Sequence, residues 1–515
     1  MNHETGKTHE EGMRERLRLA PDAYRPAYHY LPPSNWMNDP NGTFFWQGRY
    51  HLFYQYNPHE AHHGGRTGTI HWGHTVSENL VDWEDLPIAL TPTPDGPDMD
   101  GCFSGTAFVG PDGVPTIIYH GVPGGICLAT STDDMLVHWE KHPANPVILT
   151  PGPDDPYKVD GAPCGWVEGD TCYAITGNSS HDAFDGREPD RAYLFKSDDM
   201  AHWEYMHPFY EGGVYTERGE DCAVPDFFPL GDKHVLLFAS HRRGPHYYVG
   251  SYADNKFIPE HHRRLAFGET NFTARTGILN ECQTLLDDND RRILFSRISE
   301  ARYGCVQRDS GWAGIMALPS VLSLAADNHL LVEPVPELES LRGEHQHIAD
   351  LAIAPDSIVP LDPVAGNRVE IRAVFEWDDA EEFGLVVCCS PGGEEQTQIR
   401  FNANPDHYYR RAIPPLRELV LDVTRSSTRP DINNRESQRC HAAHAAGEPV
   451  ELRVFIDRSV VEVFVNGGRY YLAKRIYPAR PDSVGVRVFA RGGKATLRSL
   501  DAWQMKAIWP LEENG

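Results

Sequence analysis

One pattern occurs three times in this chain, and its central copy reads STDDMLVHWE at residues 131–140. An earlier copy reads SENLVDWE at residues 77–84, and a later copy reads SDDMAHWE at residues 197–204. Each copy follows a short apolar or aromatic segment, turns through Ser and Asp, and enters a Trp-Glu strand. One supersecondary unit that recurs at about 50 residues or a little more is typical of a β-propeller blade. Chance similarity among Trp-rich hairpins is the alternative, and three copies in register argue against it.

Strand-like segments lie between the copies, bounded by Pro, Gly, Asp and Asn, and no convincing helix interrupts them. Ser251–Asp254 is a candidate fourth copy of the pattern. The sequence therefore predicts an all-β fold. The strands predicted in this part are Phe44–Tyr56, Gly105–Val109, Thr116–His120, Gly125–Ala129, Thr171–Gly177, Ala192–Lys196, Val235–Ser240 and Arg291–Ser296.

The sequence changes in character near residue 338, after a proline-rich and charged stretch. Downstream strands alternate polar and apolar residues more cleanly, and Asn466-Gly467 is a hairpin turn signal. The predicted domains are an N-terminal extension at 1–27, a propeller at 28–337, a linker at 338–350 and a β-sandwich at 351–508. The sandwich strands are predicted at Arg368–Phe375, Phe383–Cys388, Val450–Ile456 and Val460–Val465, with a loop at Arg425–Ala446.

The heptad WMNDPNG at residues 36–42 places one carboxylate, Asp39, at a Pro/Gly turn. Asn38 and Asn41 can hold that carboxylate by hydrogen bonds, and Trp36 offers a flat apolar wall on which a sugar ring can pack. An ordinary Asp-Pro turn beside a buried Trp is the simpler interpretation. The full heptad is much rarer than that turn, which favours a catalytic site.

The heptad resembles the nucleophile motif of glycoside hydrolase family 32, which contains invertases, inulinases, levanases and their transfructosylating relatives. Asp457–Phe464, followed by Tyr477-Pro478, resembles the signature of that family's C-terminal sandwich. Gly311–Pro319 and Pro336–Leu338 resemble its domain junction. The resemblance runs from about Tyr28 to about Trp503, and it implies a five-bladed β-propeller followed by a C-terminal β-sandwich.

The resemblance also implies a reaction, the retaining hydrolysis of terminal β-D-fructofuranosyl bonds of sucrose or short fructans through a covalent fructosyl-enzyme intermediate. Retention needs two carboxyl groups about 5 Å apart, one as nucleophile and one as acid/base. The resemblance assigns Asp39 as the nucleophile. It assigns Asp160 as the carboxylate that stabilises the transition state, although Val159 and Gly161 replace the Arg and Pro of the family's Arg-Asp-Pro motif.

The acid/base is predicted to be Glu220. The family pattern Glu-Cys-Pro-Asp is replaced here by EDCAVPD at residues 220–226, so extra residues separate the acid from the proline. Alignment on residue type selects Glu220, whereas alignment on Cys222 selects Asp221. The run NECQT departs from the family's aromatic-Ala-Pro-Gln-Thr run, and its Glu281 is a reserve candidate for the acid.

A further set of residues is predicted to contact the substrate because their segments match substrate-contacting motifs of the family. For Trp72, a place in the core is nearly as well supported by composition. The predicted substrate-binding residues are Trp36, Asn38, Gln55, Trp72, Phe103, Ser104 and Asp221.

Charge and composition limit the partners of this 515-residue chain. Its net charge of −27 argues against a nucleic acid or an anionic membrane surface, because their phosphates would be repelled. A neutral oligosaccharide such as sucrose or a fructo-oligosaccharide is indifferent to that charge, and it is the predicted partner. The oligomeric state is not predicted.

The ten cysteines are scattered, without C-x-x-C or zinc-like spacing, and are predicted to be small buried hydrophobes in a reducing compartment. The His-rich stretch His59–His63 has no matching carboxylates, so the sequence predicts no metal and no cofactor. Residues Met1–Pro21 contain no apolar segment of signal-peptide type. These features together predict a cytoplasmic enzyme.

Three other functions compete with hydrolysis. A fructosyltransferase would use the same nucleophile, with an acceptor hydroxyl in place of water. An inverting furanosidase of the related propeller family is disfavoured by the heptad and by the Asp457–Phe464 signature. A non-catalytic fructan-binding protein that has lost its acid is supported only by the altered segment at residues 220–226.

Overall fold

The computed structural model describes residues 9–64, 68–152, 154–159, 162–178, 189–265, 277–403, 416–432, 435–444 and 447–509. Most of these residues lie in strands. The described helices are α1 (His9–Leu19), α2 (Gly304–Ser310) and a 3-10 helix (Pro336–Leu341). None of the helices in the described ranges has the length and apolar character needed to cross a membrane.

The first part of the chain forms antiparallel sheets, each built from strands that follow one another along the sequence. The first sheet holds β1 (Asn35–Trp46), β2 (Arg49–Asn57), β3 (His71–Ser77) and β4 (Trp83–Leu90). The second holds β5 (Gly101–Val109), β6 (Pro115–Val122), β7 (Gly125–Ser131), β8 (Trp139–Lys141) and β9 (Ile148–Leu149). The third holds β10 (Pro163–Glu168), β11 (Thr171–Gly177), β12 (Ala192–Ser197) and β13 (Glu204–Pro208).

Two more sheets complete this part. The fourth holds β14 (Ala223–Leu230), β15 (Lys233–Ser240), β16 (Gly244–Ala253) and β17 (Lys256–Arg264). The fifth holds β18 (Leu279–Leu286), β19 (Arg292–Ile298), β21 (Ile315–Met316), β22 (Ser320–Leu324) and β23 (Leu330–Pro334), while β20 (Trp312–Ala313) pairs in parallel with β1 of the first sheet.

The five sheets close into a ring. Their first strands contact one another in turn, β1 with β5, β5 with β10, β10 with β14, β14 with β18, and β18 with β1 again. The parallel pairing of β20 with β1 ties the last part of the ring to its beginning. The arrangement is the predicted five-bladed β-propeller, with each sheet as one blade and its first strand facing the centre.

The sequence repeat marks the turn between the third and fourth strands of a blade. Asp133 and Asp199 accept backbone hydrogen bonds there, for example from Met135 N at 2.9 Å and Ala201 N at 2.9 Å. Asn79 does the same in the first blade, where its Oδ1 accepts from Val81 N. In an Asx turn of this kind the side-chain oxygen binds nearby backbone N–H groups, which explains why Asn or Asp recurs at this position. The candidate fourth copy leads into the matching turn between β16 and β17.

The segment predicted as one strand at Phe44–Tyr56 is instead two strands, the end of β1 and most of β2. The hairpin turn between them is Gln47-Gly48, whose φ angles are 49° and 76°. Two consecutive residues with positive φ form the turn that matches the twist of a two-residue hairpin. The remaining predicted propeller strands coincide with described strands to within a few residues.

The second part of the chain is a sandwich of two antiparallel six-stranded sheets. One sheet has the order β24 (Arg342–Ile353), β35 (Ala495–Met505), β26 (Arg368–Trp377), β31 (Val450–Asp457), β32 (Val460–Val465) and β33 (Tyr470–Arg475). The other has the order β25 (Ser357–Ala365), β34 (Gly485–Arg491), β27 (Glu382–Cys389), β28 (Thr397–Asn402), β29 (Leu416–Asp422) and β30 (Gln438–Ala443).

Two predicted segments of this part differ in the structure. The predicted linker at 338–350 begins in the 3-10 helix and is strand β24 from Arg342 onward, because its backbone pairs with β35. The predicted loop at Arg425–Ala446 contains β30, whose pairing with β29 completes the second sheet. Both strands lie at sheet edges and are rich in polar residues. They therefore lack the alternation of polar and apolar residues from which strands were predicted.

The sandwich docks onto the propeller through a buried group of three residues, His29, Asp457 and Glu462, called here the His29 cluster. The ring of His29 lies 2.9 Å from Asp457 Oδ2 through Nδ1 and 2.7 Å from Glu462 Oε1 through Nε2. Backbone N–H groups of Ala27, Tyr28 and His29 also donate to Asp457. The sandwich signature therefore binds the segment that leads into β1.

The predicted N-terminal extension also packs on the propeller. Arg16 of α1 is buried and donates to both carboxylate oxygens of Asp85 on β4, at 2.8 Å and 2.7 Å. Its guanidinium lies 3.5 Å from the ring centroid of Trp509 near the end of the described chain. Helix α1 thus joins the first blade to the C-terminal segment.

Candidate active site

Bulges in the first strands of the blades create the site. In β1, β5, β14 and β18, one extra residue interrupts the pairing with the second strand of the blade. A bulge redirects side chains and is common beside active sites. In contrast, β10 pairs with β11 in unbroken register. The bulged pairs are Asn38-Asp39, Phe103-Ser104, Val224-Pro225 and Asn280-Glu281.

The predicted nucleophile Asp39 is buried and receives hydrogen bonds on both carboxylate oxygens. Asn38 Nδ2 donates to Oδ1 at 2.7 Å, and Ser104 Oγ donates to Oδ2 at 2.7 Å. Gln55 Nε2 donates to Ser104 Oγ at 2.5 Å, and Gln55 Oε1 accepts from Asn38. Three residues predicted from the sequence, Asn38, Gln55 and Ser104, therefore form one hydrogen-bond network around the Asp39 carboxylate.

An arginine completes this network. Arg297 on β19 lies with its Nε 3.2 Å from Asp39 Oδ1, and the same Nε atom makes an ion pair with Glu281 Oε2. Asp39, Glu281 and Arg297 are called here the Arg297 cluster. Because one nitrogen contacts both carboxylates, the two acids of adjacent blades are near neighbours.

Burial and crowding of negative charge set the protonation of the Arg297 cluster. Burial, followed by the charge of Glu281, raises the pKa of Asp39 to about 7, although Arg297, Ser104 and His241 act in the opposite direction. Burial also disfavours ionised Glu281, but the guanidinium of Arg297 outweighs it and lowers the pKa of Glu281. Two buried carboxylates this close hold one proton between them at a higher pH than an isolated acid would.

The predicted acid/base Glu220 lies in the segment before β14 and is fully buried. Arg264 Nη2 donates to both of its oxygens at 3.0 Å, and the backbone N–H of Glu217 donates to Oε1. The bulges of the first and fifth blades each contain an acid, whereas the bulge of the fourth blade consists of Val224-Pro225. The structure thus places Glu220 in a structural ion pair.

Asp221, predicted as a substrate ligand, lies beside His241. The backbone N–H of His241 donates to Asp221 Oδ1 at 2.8 Å, and the ring Nδ1 is 2.5 Å from Oδ2. Burial lowers the pKa of His241, but Asp221, Glu281 and Asp39 outweigh it and raise that pKa to about 9. His241 therefore stands as a cation between Asp221 and the Arg297 cluster.

The remaining predicted site residues divide into three groups. Trp36 and Phe103 pack together with Ile70 and Ala313, and Phe103 keeps part of its surface exposed. Trp72 is fully buried in the core, and its Nε1 donates to the carbonyl of Phe103 at 2.9 Å. Trp72 was predicted to contact the substrate, but it has no exposed surface in the structure and instead supports Phe103. Asp160 lies outside the described residues.

Arg297 and His241 are site residues that the sequence prediction missed. Arg297 lies between the buried residues Ser296 and Ile298 of β19, where a partly buried charge requires a partner. An arginine in a mostly apolar strand was therefore the sequence signal from which Arg297 could have been predicted as a site residue. His241 follows β15 directly and carries no such signal, because its role depends on the fold of the neighbouring segment.

The centre of this propeller has the chemistry of a glycosidase: a buried, hydrogen-bonded carboxylate beside a second carboxyl group. Residues 29–334 match "Glycosyl hydrolases family 32 N-terminal domain", and residues 337–504 match "Glycosyl hydrolases family 32 C terminal". The chain belongs to glycosyl hydrolase family 32 and is an enzyme of the β-fructofuranosidase type.

Individual relatives agree with this family. The chain is 31% identical to sucrose-6-phosphate hydrolase of Escherichia coli, over 94% of this chain and 95% of that protein. It is 30% identical to β-fructofuranosidase, insoluble isoenzyme 1, of Oryza sativa subsp. indica, over 94% of this chain and 90% of that protein. The solved structure of fructan 1-exohydrolase IIa from Cichorium intybus superposes with a TM-score of 0.82 at 26% identity, covering 94% and 98% of the two chains.

Proposed function

We propose that this protein hydrolyses terminal β-D-fructofuranosyl bonds of sucrose or short fructans, with retention of configuration. The observation that carries the proposal is Asp39, a buried carboxylate at a bulge, with hydrogen-bond donors on both oxygens. Relatives named as a sucrose-6-phosphate hydrolase, a β-fructofuranosidase and fructan exohydrolases support the substrate class. A variant of the Cichorium enzyme solved with 1-kestose supports a short fructan as ligand.

In the first step, a carboxylate oxygen of Asp39 attacks the anomeric C2 of the fructosyl unit, and the bond from C2 to the leaving oxygen breaks. A carboxylic acid nearby protonates that oxygen. In the second step, water attacks C2 and releases Asp39. Asn38 and Ser104 donate hydrogen bonds to the Asp39 carboxylate and hold it in one orientation. A nucleophile that is already oriented loses less entropy on reaching the geometry of attack.

The test is a substrate panel followed by product chromatography. Sucrose, sucrose 6-phosphate, 1-kestose, inulin and levan are incubated with the purified protein, and free fructose is quantified. Higher oligosaccharides instead of fructose would mark the protein as a fructosyltransferase that uses the same nucleophile. Absence of any released or transferred fructose from all five substrates would contradict the proposal and favour a fructan-binding protein.

Retention is tested separately by adding methanol as an acceptor. A double displacement through Asp39 produces methyl β-D-fructofuranoside, because two inversions restore the configuration. The α-anomer as the sole methyl fructoside would contradict the covalent mechanism. NMR of the product distinguishes the two anomers.

We further propose that the protein works in the cytoplasm, as the sequence predicts. Its ten cysteines, all within the described ranges, are free thiols and nine are buried, which suits a reducing compartment. Fractionation of the producing cells, with fructose release as the assay, tests this location. Activity found outside the cytoplasmic fraction would contradict it.

A further inference from the structure

Arg297 contacts the two acids of its cluster through one edge of its side chain. Its Nε lies 3.2 Å from Asp39 Oδ1, and the same atom makes the ion pair with Glu281. Within the described ranges, neither Nη1 nor Nη2 donates a hydrogen bond to a protein group. A guanidinium carries five N–H donors in a rigid fork, and four of them are on the Nη atoms. The side chain keeps 16% of its surface exposed, and the Nη atoms belong to that exposed part.

The free end of Arg297 lies beside the point of chemical attack. Both Nη atoms are two bonds from the Nε atom that contacts Asp39. When an oxygen of Asp39 bonds to C2 of a fructosyl unit, the neighbouring carbons C1 and C3 each carry a hydroxyl group. Hydroxyl oxygens accept hydrogen bonds from guanidinium N–H groups. The hydroxyls at C1 and C3 are therefore the substrate groups that these donors reach first.

Two blades fix the guanidinium before a ligand binds. Asp39 from the bulge of β1 and Glu281 from the bulge of β18 hold it between them. Burial opposes ionised Glu281, but the guanidinium outweighs it and lowers the pKa of Glu281, which keeps the ion pair intact at neutral pH. A planar donor group that is already held in place loses little conformational freedom on binding. Arg297 is thus pre-organised as a binding group.

This ion pair is an addition to the family's pattern. In the run NECQT, Glu281 occupies the place of the alanine in the family's aromatic-Ala-Pro-Gln-Thr run. On the third blade, Val159 replaces the arginine of the Arg-Asp-Pro motif and is buried among apolar side chains. The guanidinium that contacts Asp39 therefore comes from the fifth blade in this chain.

The charge of the Arg297 cluster indicates which ligand group it takes. With both acids ionised, two carboxylates and one guanidinium carry a net negative charge. A phosphate or carboxylate group on a ligand would be repelled by that charge at close range. A hydroxyl group brings no charge, and its oxygen accepts from the Nη donors. A neutral sugar ring is consequently the ligand that fits.

We propose that Arg297 is a substrate-binding and specificity-determining residue, whose Nη atoms donate to the free hydroxyl group at C1 or C3 of the fructosyl unit. Its Nε atom keeps the nucleophile and Glu281 in place at the same time. This inference rests on the proposed function, since it needs a fructosyl ring bound over Asp39. A fructosyl unit that lacks the contacted hydroxyl leaves the Nη donors without an acceptor and is a poor substrate.

The first test measures binding without catalysis. Its probe, 2,5-anhydro-D-mannitol, keeps the furanose ring and hydroxyls of a β-fructofuranosyl unit and has no glycosidic bond. Arg297→Lys keeps a positive charge between the two acids but loses the fork of the Nη atoms. Calorimetry should give a Kd about 10- to 100-fold above that of the unmodified protein. Arg292→Lys is the matched control, because Arg292 lies at the other end of β19 over the ring of Phe228, and its Kd should change by less than about twofold.

The second test identifies the substrate group that Arg297 contacts. Sucrose, 1′-deoxysucrose and 3′-deoxysucrose are compared in the unmodified protein and in Arg297→Lys. Loss of the contacted hydroxyl should lower kcat/KM at least about tenfold less in Arg297→Lys than in the unmodified protein, because the variant has already lost the contact. Methyl β-D-fructofuranoside lacks the glucose unit of sucrose. Arg297→Lys should lose the same factor of kcat/KM on both, to within about threefold, if the contact is to the fructosyl unit.

Folding of each variant is verified by circular dichroism and thermal unfolding. If Arg297→Lys does not fold, the double change of Glu281→Ala with Arg297→Met replaces it. Removing both partners together leaves no unpaired Glu281 carboxylate in the buried site. The same rise in the Kd of 2,5-anhydro-D-mannitol is expected for this double variant.

Three results would overturn the inference. The first is a Kd of Arg297→Lys, or of its replacement, within about threefold of the unmodified protein. The second is an equal loss on both deoxysucroses in the variant and in the unmodified protein. The third is a defect that disappears on methyl β-D-fructofuranoside, which would assign the contact to the leaving group. Failure of the proposed function is recognised independently, because the unmodified protein would then release no fructose from sucrose or methyl β-D-fructofuranoside, whereas probe binding can still be compared.

Discussion

The Arg297 cluster and the His29 cluster have the same composition, one cation between two buried carboxylates, yet they have different surroundings. Backbone N–H groups of three consecutive residues donate to Asp457 in the His29 cluster. Side chains on bulged strands and Arg297 donate to Asp39 in the Arg297 cluster. Backbone donors cannot turn away from a carboxylate, whereas side-chain donors can be exchanged for a ligand.

The pKa values of Asp457 and Asp39 are consequently shifted in opposite directions. Burial opposes ionised Asp457, but hydrogen bonds from His29 and from the backbone outweigh it and lower its pKa. Burial and a second acid raise the pKa of Asp39 instead. A carboxylate that is stabilised in its charged form contributes to folding, and one that is destabilised is available for chemistry. By this comparison, Asp457 has the environment of a structural acid, and Asp39 has the environment expected of the proposed nucleophile.

The largest effect is expected for Asp39→Asn, which removes the nucleophile from the Arg297 cluster. Fructose release from sucrose should fall by about 10⁴-fold or more, because one carboxyl group cannot perform both steps. The midpoint of thermal unfolding should stay the same or rise, since the variant no longer has a buried carboxylate whose ionisation is unfavourable. Initial rates and thermal unfolding check the two parts, and turnover near that of the unmodified protein would refute the assignment.

The opposite result is expected for Asp457→Asn in the His29 cluster. Removing one partner of a buried ionic group costs about 3–5 kcal/mol, so the free energy of unfolding should fall by that amount. The kcat of the folded fraction should change by less than about twofold, since Asp457 lies at the domain interface. Urea unfolding measures the stability. A stable but inactive variant would contradict the structural role of this cluster.

Truncation of the chain after Glu344 is the more drastic version of this change. It removes Asp457 and Glu462 together and exposes the propeller surface that contacts β33. We expect a poorly soluble product, because apolar residues of that surface lose their partner. A soluble and fully active truncation would show that the propeller folds without the sandwich.

The His29 cluster should also make the stability of the protein depend on pH. Burial lowers the pKa of His29, but Asp457 and Glu462 outweigh it and raise that pKa to about 9. The folded pKa lies above the unfolded value of about 6.5, so this contribution to stability is present below pH 6.5 and is lost as the pH rises through 9. His29→Gln should reduce the stability at pH 6 and flatten its decline between pH 7 and pH 10, measured by urea unfolding.

The smallest effect is expected for Ser104→Ala, which removes one donor from Asp39. Ser104 lowers the pKa of Asp39, so without it the acid limb of the pH–rate profile should move upward by about one pH unit. The kcat at pH 8 should fall by about tenfold through weaker orientation of the nucleophile. An acid limb that does not move would mean that another group titrates in that range.

Much of this site was predictable because its residues lie close together in sequence or in known motifs. The heptad singled out Asp39 as the candidate nucleophile, and Gln55 and Ser104, predicted to contact the substrate, lie in the hydrogen-bond network of Asp39 in the structure. Asp160 stays a prediction from the sequence. The acid/base was predicted as Glu220 on the fourth blade, where two or three extra residues before Pro225 leave Asp221 as the alternative.

The sequence by itself determined the repeated blade and the two-domain architecture and singled out Asp39 as the candidate nucleophile, because each depends on local patterns of turns, strands and one compact motif. Only the tertiary structure decided which second acid meets Asp39. Glu281 is far from Asp39 along the chain, and they meet because two bulged strands of adjacent blades share the guanidinium of Arg297. Closure of a ring joins its first and last blades, and no local pattern encodes the contacts that closure creates.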